Sequence, residues 1–225
     1  MVVPSVKSHP AGFDRLAPFY RALEFLAFGR DLERARFCFL GELRDCRSIL
    51  VLGEGDGRFL ARLAGIAPHA RIHCVDSSPA MLALAAARIP GAGAGARVSF
   101  ERADVLGARF DPAAYDAVAT LFFLDCFTPA QVAGIVSSVR PSLSQGARWL
   151  FADFALPARG ILRWRARAWL RILYLFFGRT TALSARSLPP SEEILSSGGF
   201  RRVASREFQG GLLRSVIFDS PSNRI

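Results

Sequence analysis

The sequence predicts an α/β fold: a mostly parallel sheet of seven strands with helices on both faces, closed by one antiparallel strand. Three observations predict it. Between residues 49 and 155, short apolar runs of strand length alternate with helical patterns. The first of these runs passes directly into "LGEGDGRF", a loop with glycine at every second position. The last two runs, 201–208 and 212–218, are joined by "QGG" alone, a connection short enough for an antiparallel hairpin. At 225 residues the chain fits one domain and can bury a sizeable core.

Taken in order, residues 13–43 carry Phe19, Leu23, Leu26 and Ala27 at helical spacing and are expected to form one or two helices. Residues 1–46 then make an N-terminal cap, 47–155 the sheet core, 156–190 an inserted lid and 191–225 the closing strands. Strands are expected at 49–52, 71–75, 97–101, 116–121 and 148–153, with helices over 59–63 and 79–88 between them. Ser78 and Pro79 provide an N-cap and a first helical residue. Thr128 and Gln131 form a capping box around Pro129, followed by Val132, Ile135, Val136 and Val139 along one helical face. "PGAGAGA", 90–96, is a loop of small residues, and no internal repeat or linker divides the chain.

Composition narrows the partners. The formal charge is +10, from 29 basic and 19 acidic residues, and favours an anionic neighbour: a membrane surface, nucleic acid or an acidic substrate. A GC-rich genome would produce the same arginine-rich, alanine-rich bias. Cys38, Cys46, Cys74 and Cys126 lie in expected helices or strands without a C-x-x-C pair, which argues against a zinc site or disulfide framework and fits a reducing cytoplasm. "MVVPSVKSHP" has no apolar core of a secretory signal. The most hydrophobic later stretch, 161–179, contains Arg163, Arg165, Arg167 and Arg171, too many charges for a spanning helix.

The glycine loop is the centre of the functional argument. Gly53, Gly55 and Gly57 follow a buried strand and open a helix, where backbone must pass close to a ligand or turn where a Cβ would clash. Arg58 stands where a dinucleotide fingerprint requires a third glycine, so NAD is not the preferred ligand. Asp76 ends the second strand, where a carboxylate can accept both hydroxyls of a ribose. Asp104 ends the third, placed to accept from an adenine amino group while Val105 packs on the ring; a turn aspartate is the alternative.

In this order, "LGEGDGRF", "VDSSPAMLALA", "RADV" and "YDAVATLFFLDCF" resemble the successive motifs of the class I S-adenosylmethionine-dependent methyltransferases over most of the chain. The resemblance implies a Rossmann-like seven-stranded sandwich that uses S-adenosyl-L-methionine. It implies cofactor contacts from Gly53, Glu54, Gly55, Gly57, Asp76, Ser77, Met81, Asp104, Val105 and Leu121. The N-terminal "FDRLAPFYRALEFLAFGRD" and C-terminal "ILSSGGFRRVASREFQGGLLRSVIF" are similar to the ubiquinone and menaquinone biosynthesis C-methyltransferases, which implies a small, apolar aromatic or quinone-like acceptor. Two departures stand out. Val51 occupies a position that is often acidic in the superfamily, with Glu54 a possible substitute for anchoring the cofactor's amino group, and Leu121 replaces a polar residue.

Methyl transfer from a sulfonium needs alignment and desolvation, plus a base if the acceptor must lose a proton. Candidate bases are Asp125, just beyond the fourth strand, and Asp153, ending the fifth; Tyr20 of the cap could close over the cofactor or face the acceptor. The segment 161–177 places Arg163, Arg167 and Arg171 along one helical stripe opposite Leu162, Trp169, Leu173 and Phe176. A lid over the sheet is favoured; the alternative is peripheral contact with an anionic membrane. Nucleic acid is not the expected partner, because "LFFLDCF" lacks the Asn/Asp-Pro-Pro-aromatic signature of base-amino methyltransferases and the basic residues form no separate arm. RNA methylation and a non-catalytic scaffold that keeps the fold are the alternatives to a small-molecule enzyme. The sequence leaves the oligomeric state open.

Overall fold

The structure, a computed structural model, describes residues 29–89, 95, 97–157 and 188–221. Tyr20, most of the expected N-terminal helical segment, all but Gly95 of the 90–96 loop and the arginine-rich segment 161–177 lie outside the described residues.

Within them the order is α1 (Asp31–Phe37), β1 (Ser48–Leu52), α2 (Arg58–Ile66), β2 (Arg71–Asp76), α3 (Pro79–Arg88), β3 (Val98–Arg102), β4 (Tyr115–Leu121), α4 (Pro129–Val139), β5 (Leu143–Phe154), α5 (Ser191–Ser197), β6 (Arg201–Phe208) and β7 (Leu213–Asp219). The seven strands form one sheet in the order β3-β2-β1-β4-β5-β7-β6. Five neighbouring strands run parallel, whereas β7 is antiparallel to both β5 and β6, as the QGG connection predicts. The chain reverses direction of travel along the sheet after β3, between β1 and β4, so the crevice beyond the carboxyl ends of these strands is where an open α/β sheet binds ligands.

Strand periodicity divides the core into two layers. Ile49 and Val51 of β1, Ala117 and Ala119 of β4, and Leu150 and Ala152 of β5 pack with Phe59, Leu60 and Leu63 of α2 and Ala85 of α3. Leu50, Leu52, Val118, Trp149 and Phe151 point the other way, against Val132, Ile135, Val136 and Val139 of α4 and Leu195 of α5. Both faces of the central strands are therefore covered, which explains why those strands read as continuous apolar runs. α1 lies over the antiparallel end, where Leu32 and Ala35 meet Leu212 and Leu213 and the Ser215 hydroxyl donates to the Ala35 carbonyl.

Local rules set the helix starts. Ser78 accepts the Met81 N–H at 3.2 Å, with Pro79 in the first turn of α3. Thr128 and Gln131 make the expected reciprocal capping box on α4. Two readings need correction. β5 begins at Leu143, five residues before the expected Arg148, because Leu143 pairs with Tyr115 across a register shift. The polar "SQG" and the left-handed Gly146 (φ +73°) hide that extension in the sequence. α5, an element with no counterpart among the sequence expectations, is only seven residues long, too short to show a period. Cys38, just past the end of α1, and Cys46, in the connection before β1, lie outside any helix or strand, against the expectation for them.

Candidate active site

The loop between β1 and α2 holds Gly53, Gly55 and Gly57 at φ of +65°, +72° and +86°, the left-handed region that disfavours a side chain. The reason differs at each position. A Cβ on Gly53 would lie 1.9 Å from Cδ2 of Phe123, so glycine lets that ring settle on the loop. A Cβ on Gly57 would lie 2.4 Å from the Ala85 Cα, so glycine lets α2 and α3 close together. At Gly55 nothing lies within 4 Å. That open side, with its turned backbone, is the approach a ligand needs.

Glu54 is 6% exposed and its Oε1 accepts the N–H groups of Phe59 and Leu60 at 3.0 and 3.2 Å. The carboxylate caps the start of α2, where four N–H groups lack helical partners. Burial pushes its pKa up to about 7, against the opposing pull of the Arg36 guanidinium and the two N–H bonds. Val51 is fully buried in the core. Asp56, also buried, takes Arg58 at 2.9 Å and Arg88 at 3.2 Å and ties the loop to α3.

Asp76 stands at the tip of β2, half-buried, with Oδ1 accepting the Ser78 N–H at 2.9 Å. Ser77 is exposed beside it, and Met81 is buried one helical turn on. Asp104 follows β3, exposed, with Oδ1 accepting the Leu106 N–H at 3.0 Å; Val105 is buried among the residues under Phe123 and Phe127. Leu121 ends β4, buried. All these residues lie at or beyond the carboxyl ends of β1, β2, β3 and β4, which are consecutive neighbours in the sheet.

Beyond β4, Phe122 adopts φ +56°, and its ring meets Phe154 edge-on at 5.5 Å under the buried Arg36 guanidinium. Phe123 and Phe127 meet edge-on at 5.0 Å. Between these rings the chain makes a 3-10 turn, Leu124–Cys126, that carries Asp125. The Asp125 N–H donates to Oδ2 of Asp153 at 3.0 Å, and Oδ1 of Asp153 accepts the Phe154 N–H at 2.9 Å. Burial pushes Asp125 up to about 6 and, reinforced by the neighbouring Asp125 charge, pushes Asp153 well above the carboxylate range.

Sequence reasoning therefore found both aspartates without finding their bond, which joins residues 28 positions apart. The signal was the parallel pairing of β4 with β5, which ends at Leu121 and Ala152. It missed Arg36, which sits in a helix near the cap, and the capping role of Glu54. A groove of about 810 Å³ between α4, α5 and the start of β5 lies on the far side of the molecule, lined by residues such as Val136, Arg140 and Ile194, and shares no residue with the glycine loop.

A doubly covered sheet of this order, with a left-handed glycine loop after β1 and an aspartate after β2, defines a class I S-adenosylmethionine-dependent methyltransferase. The chain belongs to that family. Residues 49–146 match the methyltransferase domain family. The chain is 31% identical over 168 residues to a demethylmenaquinone methyltransferase of Thermus thermophilus, covering 74% of each protein. Among solved structures it is similar to the N-methyltransferase NodS of Bradyrhizobium japonicum (TM-score 0.59, 18% identity, 85% of this chain and 98% of that one). It is also similar to human N-acetylserotonin methyltransferase in complex with S-adenosylmethionine (TM-score 0.64, 15% identity, 98% and 61%). The protein is thus an S-adenosylmethionine-dependent methyltransferase, and the open side of Gly55 and the carboxylate at the tip of β2 fit that cofactor.

Proposed function

We propose that the acceptor is a small, apolar aromatic or quinone-like molecule, methylated beside Phe122, Phe123 and Phe127. The observation that carries this reading is the aromatic wall after β4: the Phe123 ring rests directly on Gly53, so the acceptor side and the cofactor loop are one surface. Flat rings pack edge-on and face-on against such walls, and a pocket of this composition favours an apolar ligand. The demethylmenaquinone methyltransferase relative supports the same class of acceptor.

The bound cofactor supplies a methyl group already activated by the sulfonium charge. The chain's task is to hold and align. Asp76 accepts from the ribose hydroxyls, with Ser77 and Met81 beside it; Asp104 and Val105 border the adenine. Gly53, Gly55 and Gly57 keep the loop backbone close, and Leu121 contributes packing at the end of β4. Glu54 acts on the cofactor through the loop and α2, whose first N–H groups it holds in place. Asp125, at the aromatic wall, takes up a proton where the acceptor must lose one. Tyr20 of the cap is proposed to close the pocket.

The segment 161–177 is proposed as the lid, with its arginines available to anionic lipid at the membrane that stores such acceptors. Among the described residues no helix is long and apolar enough to cross a membrane; the contact proposed for 161–177 is peripheral because its four arginines would be costly inside a bilayer. The test is incubation with methyl-labelled S-adenosylmethionine and a cell extract, followed by separation of lipid, RNA, protein and small-molecule fractions. Label in the apolar small-molecule or lipid fraction is expected; label confined to RNA or protein would refute the acceptor assignment.

A further inference from the structure

Phe123 and Gly53 meet where the cofactor loop joins the aromatic wall. A Cβ on Gly53 would lie 1.9, 2.5 and 2.6 Å from Cδ2, Cε2 and Cγ of Phe123, so three adjacent ring atoms rest on the loop backbone at its first glycine. The neighbours of the ring hold it there. Leu124, fully buried, anchors the turn that Phe123 opens, the Phe123 carbonyl accepts the Cys126 N–H at 3.2 Å, and Phe127 packs edge-on at 5.0 Å. Phe122, one residue earlier, packs in the other layer of the core and has its cation in Arg36, 5.6 Å from the ring centroid. S-adenosylmethionine runs adenine, ribose, sulfur in covalent order. With adenine at Asp104 after β3 and ribose at Asp76 after β2, the next step along the molecule falls at β1 and β4, because neighbouring strands stand about 4.8 Å apart, comparable with one such unit. Gly53 follows β1 and Phe123 follows β4.

We infer that the Phe123 ring recognises the positive charge of the sulfonium and so separates the methyl donor from its neutral thioether product. This rests on the seating of the cofactor proposed above. An aromatic ring carries negative charge on its faces and attracts a cation, more strongly where water is excluded. A thioether has no charge for the ring to attract. Donor and product share adenine, ribose and amino-acid parts, so Asp76, Asp104 and the glycine loop hold both alike, and only a group beside the sulfur can distinguish them. When the methyl leaves, the bonding pair stays on sulfur and the attraction to the ring ends, which favours exchange of product for fresh donor. Phe123 is thus a specificity-determining residue for the cofactor as well as part of the acceptor wall. Asp125, on the turn that Phe123 opens, is the competing source of charge recognition.

Calorimetric titration with S-adenosylmethionine and with S-adenosylhomocysteine reads this recognition as the ratio of their dissociation constants, and it requires no acceptor. Replacing Phe123 by 3,4,5-trifluorophenylalanine withdraws charge from the ring faces and keeps the shape of the side chain. Donor affinity should then fall about three- to tenfold, with product affinity within about twofold of the wild type. Phe123→Leu, which keeps an apolar side chain, should move the ratio the same way, and Phe123→Tyr should hold it at the wild-type value. Equal changes for the two ligands, or none, would overturn the assignment and leave Phe123 as wall packing. A ratio that survives fluorination and is lost in Asp125→Asn would overturn it in favour of the carboxylate. Asp76→Ala tests the premise separately. Weaker binding of both ligands with an unmoved ratio supports the seating of the cofactor; unchanged binding of both would remove that seating and the Phe123 assignment with it.

Discussion

Gly55 and Gly57 share the sign of φ and differ in what surrounds them, and this separates binding from stability. Alanine at Gly57 would meet the Ala85 backbone at 2.4 Å in addition to the left-handed strain, whereas alanine at Gly55 meets only the strain. Gly57→Ala should cost about 2 to 4 kcal/mol, from about 1–2 of left-handed strain and the rest from overpacking. Gly55→Ala should cost about 1 to 2 kcal/mol in stability but impair cofactor binding more. Thermal melts paired with calorimetric titration of S-adenosylmethionine distinguish the two. Asp76→Ala should weaken that binding by about 1 to 3 kcal/mol, since a charged acceptor is lost from two hydroxyls. Unchanged affinity would remove Asp76 from the site. At this scale the sequence was legible wherever a residue type has few uses. Glycine before a helix and aspartate at a strand tip were identified, whereas the cap that Glu54, a residue of many uses, places on the N-terminus of α2 was not.

α4 shows how well an element can be read when its signals are local. Thr128, Pro129 and Gln131 mark its first turn and four valines and isoleucines its buried face, all within twelve residues, and the structure places each accordingly. Thr128→Ala should lower stability by about 1 kcal/mol through loss of the cap, measured by denaturant unfolding. β5 was legible only in its apolar half. Its first five residues extend the strand because Leu143 pairs with Tyr115 across a register shift, a tertiary event with no local signature. The Asp125–Asp153 bond was hidden for the same reason: it depends on register between strands, which no single stretch encodes. For the arginine-rich segment 161–177, replacing Arg163, Arg167 and Arg171 by glutamine should abolish salt-sensitive co-sedimentation with anionic vesicles. Equal, salt-independent sedimentation of wild type and variant would end the membrane contact.

For the whole molecule, stability and site chemistry are coupled through buried acids. Glu54 binds its proton up to about pH 7 in the folded chain, against 4.5 for an ordinary glutamate, and Asp125 up to about 6 against 3.8. Between those limits the folded state holds more protons than the unfolded one, so this part of the stability is present at the acid end and lost as pH rises. Glu54→Gln cannot ionise and keeps an oxygen for the two N–H groups. Its melting temperature relative to wild type should therefore rise by several degrees from pH 5 to pH 8; a constant difference would contradict burial of the charge. The parallel order of the strands brings the glycine loop, Asp76, Asp104 and the aromatic wall to one edge, and the 810 Å³ groove stands apart from that edge. A crystal structure with bound S-adenosylhomocysteine tests this arrangement most directly. The account predicts ribose hydroxyls at Asp76, adenine beside Asp104 and Val105, and the sulfur toward Phe123 and Asp125. A product molecule seated in the groove between α4 and α5, or with Asp76 and Gly55 out of contact, would contradict it.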